Sequence, residues 1–499
     1  MPTTKKDALF DLIISLSKAE KRSFRIYAKK IQSSREVLFL TLFDYLEKQE
    51  HYDVSNILEN LQAIKNNQIA NLKRNLYHHI LTSLRLLYSQ KHIALQVREF
   101  LDYAEILYNK GLYLQALKIL GRAKKITKKN HQSMLHVEIV AFERKIQSRH
   151  ITRSSTSRMS ELIQESKIAN QVVANVSQLS NLKLYLQRVF IDHGNLKTLA
   201  PQTSARQFFL STTADFQIEQ ATFFEKIFYY QSCYWYHFLV QVYPQCHQYA
   251  QKWVELYEQE SNMVVADIDM YLRAKHHLLN TTFFIKDALK LSKLVQQYQV
   301  FINTNVDQFS LNTYVQAHLF LYQAQFNQYF LNNQFEEGLS ITPKTLSFID
   351  QYEYQLDNYK IMILYYKIAS CYFGATQYAK TIDFVNLIIN QSKCALREDI
   401  LRYARLLGVL AHYELNNLVA LEYLLNATER QLSNLAQPDQ LSQLIVSFFK
   451  KLTSAIPRTR KQLFKDFHVA VGNLSERVEE GRAFIFLDIR RWVCRKMSL

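Results

Sequence analysis

Residues 97–128 run VREFLDYAEILYNKGLYLQALKILGRAKKITK. Apolar side chains recur at three- and four-residue steps on both sides of Asn109-Lys110-Gly111, the period of a helix face. Phe100, Tyr103, Ala104 and Leu107 share a face of the first helix, and Tyr113, Ala116, Leu120 and Ala123 share a face of the second. Gly111 suits the turn between them, because glycine tolerates a left-handed backbone. The small alanines let the two helices approach, and Phe100, Tyr103, Tyr113 and Leu120 fill the space beside them. A hairpin this small cannot hide its own apolar face and needs neighbours stacked against it.

The pattern resembles a tetratricopeptide repeat. Degenerate copies follow. In Leu319–Thr345, Phe335 and Gly338 stand where Tyr113 and Ala116 stand in the first unit. Met362–Ile388 repeats the order through Tyr365, Ala369, Tyr372, Tyr378 and Thr381, and Arg402–Thr428 repeats it less cleanly. The units start about 40 residues apart, above the roughly 34 of the repeat itself, so longer helices or loops are expected. The resemblance implies an α-solenoid of tetratricopeptide-like hairpins behind a helical N-terminal domain. SLSKAEKRSF at 15–24, followed by helical repeats, also resembles a family of uncharacterised bacterial proteins. That likeness implies no activity.

Composition agrees with an all-α fold. The 499 residues contain only 8 Gly and 6 Pro, too few for the tight turns of a strand-rich protein. Tyr and Phe number 31 each, an aromatic supply suited to broad helix interfaces. Five scattered cysteines, Cys233, Cys246, Cys371, Cys394 and Cys494, predict small buried hydrophobes rather than a disulfide framework. The apolar run near the N-terminus is too short and interrupted for a signal peptide, and no window is long and apolar enough to span a membrane. A cytoplasmic protein is expected.

Charge is unevenly spread. The net +17 divides into +14 over residues 1–160, −2 over 161–456 and +5 over 457–499. The expected organisation is a basic helical domain at 1–90 and helical repeats at 91–200. Aromatic-rich degenerate repeats follow at 201–456, and basic capping helices at 457–499. Ser17 and Glu20 form a capping-box pattern, and Asp53 is a candidate N-cap. A long helix is predicted from Ile69 to Tyr88 after a turn at 65–67. This invites a helix-turn-helix reading with Gln68, Asn71, Lys73 and Arg74 as recognition residues, against a plain hairpin as the simpler account. ITRSSTSR at 151–158 is expected to be a loop between helices, and separate helices are expected at Leu162–Val173 and Leu179–Ile191. A weak junction is expected over 192–214. The aromatic run from Phe216 to Tyr257 suits helix interfaces better than base stacking, since no basic excess accompanies it. The final apolar stretch through Trp492 and Val493 is expected to cap the repeats rather than lie on a membrane.

Catalytic signatures do not stand out. Phosphate-loop glycines, HExxH, CxxC and GxSxG are absent, and no cofactor or metal is expected. His78-His79 and His276-His277 are adjacent pairs whose side chains diverge by about 100° on a helix, so core or surface histidines are expected. The leading expectation is a non-enzymatic scaffold that binds a protein or peptide partner, with Arg98, Glu105, Tyr108 and Asn109 as contact candidates. The alternative is a nucleic-acid-binding or regulatory protein, with Lys73, Arg74, Arg122, Lys124, Lys125, Lys128 and Lys129 as anion-binding candidates.

Overall fold

A computed structural model describes residues 7–31, 37–49, 51–61, 63–149, 156–193, 196, 199–391, 398–433, 440–476, 483–484 and 487–498. The regular structure among them is helical throughout, with no strand. The chain divides into two units, Met1–Val173 and Ala174–Leu499.

The first unit begins with α1 (Ala8–Ser15), α2 (Lys18–Ile31), α3 (Val37–Leu46), α4 (Val54–Asn60) and α5 (Asn66–Tyr88). The capping box forms as expected: the Glu20 carboxylate accepts from the Ser17 amide at 2.6 Å, and the Ser17 hydroxyl accepts from the Glu20 amide at 3.3 Å. Asp53 caps α4 through the Ser55 amide at 2.9 Å. Leu9, Ile13, Phe24, Phe43, Leu76 and Ile80 meet in one core. Helix α5 starts three residues earlier than the apolar pattern indicates, absorbing Asn66 and Asn67 and shortening the expected turn.

The hairpin at 97–128 is present as α6 (Ile93–Asn109) and α7 (Tyr113–Lys129), followed by α8 (Ser133–Arg149). Its inner face differs from expectation. Val97, Leu101 and Ala104 are the buried positions of α6, whereas Tyr103 is 44% exposed and bonds Glu99. The helix starts at Ile93, so Val97 extends the apolar stripe by a turn and rotates the core-facing line away from Tyr103.

Residues 156–193 form one helix, α9, where two were expected. Nothing in ANVSQ at 174–178 breaks a helix, and there is neither Gly nor Pro between Thr156 and His193. Of the loop expected at 151–158, residues 151–155 lie outside the described residues, and Thr156 to Arg158 belong to α9. The expected weak junction contains α10 (Leu199–Thr213).

The second unit continues with α11 (Phe223–Leu239), α12 (Tyr243–Gln259), α13 (Ser261–Ala266), α14 (Ile268–Phe284), α15 (Ala288–Asn305), α16 (Leu311–Asn332), α17 (Phe335–Ser340) and α18 (Thr342–Gln351). It closes with α19 (Asn358–Gly374), α20 (Tyr378–Gln391), α21 (Glu398–Glu414), α22 (Leu418–Ser433), α23 (Gln440–Ser454), α24 (Pro457–Ser475) and α25 (Ile489–Ser498). Cys233, Cys246 and Cys371 are buried in this unit as expected, whereas Cys494 is exposed. Cys394 lies outside the described residues.

One turn recurs along the chain. Gly111, His131, Gln241, Lys286, Asn333, Thr376 and Asn416 all have φ between 51° and 76°. At each, the next amide donates to the carbonyl five residues back: Leu112 to Leu107, Gln132 to Thr127, Val242 to His237, Asp287 to Thr282, Gln334 to Tyr329, Gln377 to Tyr372 and Asn417 to His412, at 2.9–3.2 Å. This is the Schellman cap, which satisfies the end of one helix while reversing the chain into the next. From Gln241 to Asn416 the left-handed residues are 45, 47, 43 and 40 residues apart, so the repeat of about 40 read from the sequence is a repeat of this turn.

Within the second unit each hairpin packs on the next: α12 on α14, α14 on α16, α16 on α19 and α19 on α21. Helix α19 joins two apolar cores, giving Ile361 and Leu364 to one and Met362, Tyr366 and Ala369 to the other. The last helix packs into the second of these cores. Trp492 of α25 is fully buried against Tyr413, Phe449 and Phe464, and its indole N–H donates to Glu414 at 2.6 Å. No helix among the described residues is long and apolar enough to cross a membrane.

Candidate functional site

The basic residues singled out in the first unit have quite different surroundings. Lys73 is paired with Asp7 and donates to the Tyr52 hydroxyl at 2.6 Å. Arg74 is exposed and bonds Asn71 on its own helix. Lys124, an anion-binding candidate, is instead buried between Glu143 at 2.5 Å and Glu165 at 2.6 Å. Arg158 adds a bond to Glu143 at 2.7 Å, and Lys128 bonds Glu165 at 2.8 Å. Burial alone would raise the Glu165 carboxyl; hydrogen bonds from Lys124 and Lys128 and their charges reverse this and hold it at about 2. Arg158 also bonds Glu161 at 3.0 Å, so three cations meet three carboxylates and the cluster ties α7, α8 and α9 together. Arg122, Lys125 and Lys129 are exposed on α7.

The partner-contact candidates lie on α6. Arg98 and Asn109 are exposed. Glu105 faces Lys145 at 3.8 Å. Tyr108 is half-buried, with Lys145 4.6 Å from its ring centre and its hydroxyl accepting from Arg149 at 2.6 Å. Tyr108 and Glu105 thus hold α6 to α8.

The second unit contains a cavity of about 600 Å³, within the range of about 300–1,000 Å³ usual for ligand pockets. Its walls come mainly from the first helices of successive hairpins. Helix α11 contributes Tyr234, Trp235 and Phe238; α14 contributes Arg273, His276, His277, Asn280, Phe283 and Phe284. Helix α16 contributes Phe320, Gln323, Asn327 and Phe330, and α19 contributes Lys360, Ile363, Lys367 and Ser370. Steps of three, four and seven residues recur along these helices, which puts each contribution on one face.

The charged groups of this cavity are mostly cationic. Arg273, Lys360 and Lys367 face only one lining carboxylate, Asp357, and that residue accepts from the Tyr359 amide at the start of α19. None of the three cations forms an ion pair among the described residues. Lys367 donates to Asn327, with its ammonium 5.7 Å from the Phe283 ring centre. Burial pushes the Lys367 ammonium down to about 8. Burial, and then the charge of Arg273, lowers Lys360 and nearby Lys183 as well. Lys360 also occupies the first turn of α19, where a helix dipole disfavours a cation.

Of the adjacent histidines, His78 is exposed and His79 stacks on Phe39, as expected of surface and core residues. His276 and His277 instead line the cavity. His276 stacks on Phe320 with ring centres 3.9 Å apart, and its Nε2 meets the Asn280 amide at 2.9 Å. His277 stacks on Trp253 and touches Tyr234. Burial first, then neighbouring positive charge, drives both down, His277 to about 3. Both are neutral at pH 7, so the positive charge rests on the arginine and lysines. The aromatic run fills helix interfaces as expected, and Trp235 and Phe238 additionally face the cavity.

Lys360 and Lys367 escape a reading of composition because residues 161–456 are nearly neutral in sum. A readable signal exists all the same. Lys360, Ile363 and Lys367 recur at three- and four-residue steps on the side of the helix opposite the Tyr365, Ala369 and Tyr372 stripe, a second patterned face that carries charge.

No family model matches the chain, and no curated protein matches it.

Proposed function

We propose that this chain is a non-enzymatic, tetratricopeptide-like interaction scaffold of the cytoplasm, and that the cavity of its second unit receives an extended segment of a protein partner. The observation that carries this reading is the origin of the cavity walls. First helices of consecutive hairpins each present one face, mixing amides (Asn280, Gln323, Asn327) with aromatic rings (Trp235, Phe238, Phe320). Amides can pair with the backbone of an extended peptide, and rings can pack on its side chains. The same hairpins repeat through a shared Schellman turn, which supports a solenoid-like stack within this unit.

The nucleic-acid alternative has less support. Of its candidate cations, Lys73, Lys124 and Lys128 are committed to carboxylates, which leaves Arg74, Arg122, Lys125 and Lys129 exposed to meet a phosphate backbone.

Selection of a displayed random 12-residue peptide library on the immobilised full chain tests the proposal. Enriched peptides are expected to bind the native chain and to lose binding to Ile363→Trp, which adds an indole to the cavity wall. Failure to enrich any sequence, or peptides indifferent to that substitution, would refute it.

A further inference from the structure

Three observations about the cavity point the same way. First, its cations outnumber its carboxylates: Asp357 is the single lining carboxylate, and its charge reaches Lys360. Arg273, Lys360 and Lys367 have no ion-pair partner among the described residues, and the charge of Arg273 bears on His276, His277, Lys183 and Lys360. Like charges gathered about a protein interior repel one another more strongly than in water. Elsewhere in the molecule the same problem is solved internally, as where Lys124 meets two glutamates. Second, the arrangement goes against local preference, since Lys360 sits at the wrong end of its helix for a cation. Third, apolar surface adjoins the charge: Trp235 is half-buried and Phe238 lines the same wall.

We propose that the cavity selects acidic peptide segments, with Arg273, Lys360 and Lys367 seating a carboxylate and Trp235 and Phe238 packing against an apolar side chain next to it. The proposal rests on the peptide-binding reading above and specifies its ligand. A carboxylate would supply further counter-charge. The Arg273 guanidinium can grip it through two parallel N–H donors, while a lysine ammonium contributes a point charge. Cations set around a cavity beside rings suit a short acidic segment. The phosphates of a nucleic-acid backbone are met by cations that project from a surface.

The test uses the full chain and peptides synthesised from those enriched in the library selection. The enriched set should be net acidic. Replacing each Asp or Glu of a selected peptide by Asn or Gln should weaken binding to the native chain about tenfold or more at low salt. On Arg273→Gln and on Lys367→Met, that penalty should fall below about threefold. Arg273 is exposed and Lys367 half-buried, so Arg273→Gln keeps the test valid if Lys367→Met misfolds. Neutral or basic enriched peptides that Ile363→Trp still blocks would overturn the acidic preference and leave peptide binding standing. An amide penalty unchanged in Arg273→Gln would overturn the assigned seat. Failure to enrich any peptide removes both proposals together.

Discussion

Two groups of cations make opposite arrangements in this protein. In the first unit, Lys124 lies between Glu143 and Glu165, with Arg158 and Lys128 completing a closed set of ion pairs. In the second, Arg273, Lys360 and Lys367 surround a cavity and have one lining carboxylate, which is engaged in a helix cap. A charge moved out of water must be compensated. The first group is compensated by the chain itself and works as a clamp among three helices. The second has one lining carboxylate for three cations, of which Lys360 and Lys367 are half-buried and Arg273 is exposed, which is the arrangement expected where further counter-charge arrives with a ligand.

Removing a carboxylate from the closed set should have the greatest consequence. Glu143→Leu should destabilise the protein by about 3 kcal/mol in urea titration, because Lys124 and Arg158 both lose a partner. A loss under about 1 kcal/mol would mean that the clamp contributes little to the fold. The corresponding change in the open set should act in the other direction. Lys367→Met removes a charge that has no acid beside it and should raise stability by about 1 kcal/mol. Destabilisation there would show that the lysine has a compensating partner after all.

The two groups should also respond differently to pH. The Glu165 carboxyl is held at about 2, below its ordinary 4.5. Its stabilising contribution is therefore complete above pH 4.5 and is lost as pH falls through about 2. Lys367 is lowered from 10.5 to about 8. Between those values the unfolded chain holds a proton that the folded chain has released, so stability rises with pH across that window. Urea titrations of the native chain should show both slopes. Glu165→Gln should flatten the acid one and Lys367→Met the alkaline one.

The turns offer a finer contrast between the units. Gly111 and Thr376 occupy the same left-handed position in two Schellman caps, one in each unit. A β-branched residue is strained there and glycine is not. Thr376→Gly should raise stability by about 0.5 kcal/mol, the relief of strain less the added freedom of the unfolded chain. Thermal denaturation would detect it.

Much of this architecture is legible in the sequence. Scarce glycine and proline, together with the three- and four-residue steps at 97–128, are enough for an all-α fold of hairpins. The Ser17–Glu20 capping box and Asp53 also read correctly, because caps depend on neighbours in sequence. Helix ends without such local signals are harder. Weak polarity alone divides the continuous α9, and starting the hairpin at Val97 turns Tyr103 inward. Most hairpin turns are hard to locate, since Gln241, Lys286, Thr376 and Asn416 take the conformation that usually announces itself as glycine. The cavity is least legible. Arg273 and Lys367 are distant in sequence, and only the packing of α14 and α19 against α16 brings their surroundings together.

Whether the open set of cations is a ligand seat can be read from amide hydrogen exchange on the full chain, with and without a selected acidic peptide. Slowed exchange is predicted in α14, α16 and α19, with residues 7–149 unchanged. Protection centred on α6 or α7, and none around Arg273 and Lys367, would contradict it.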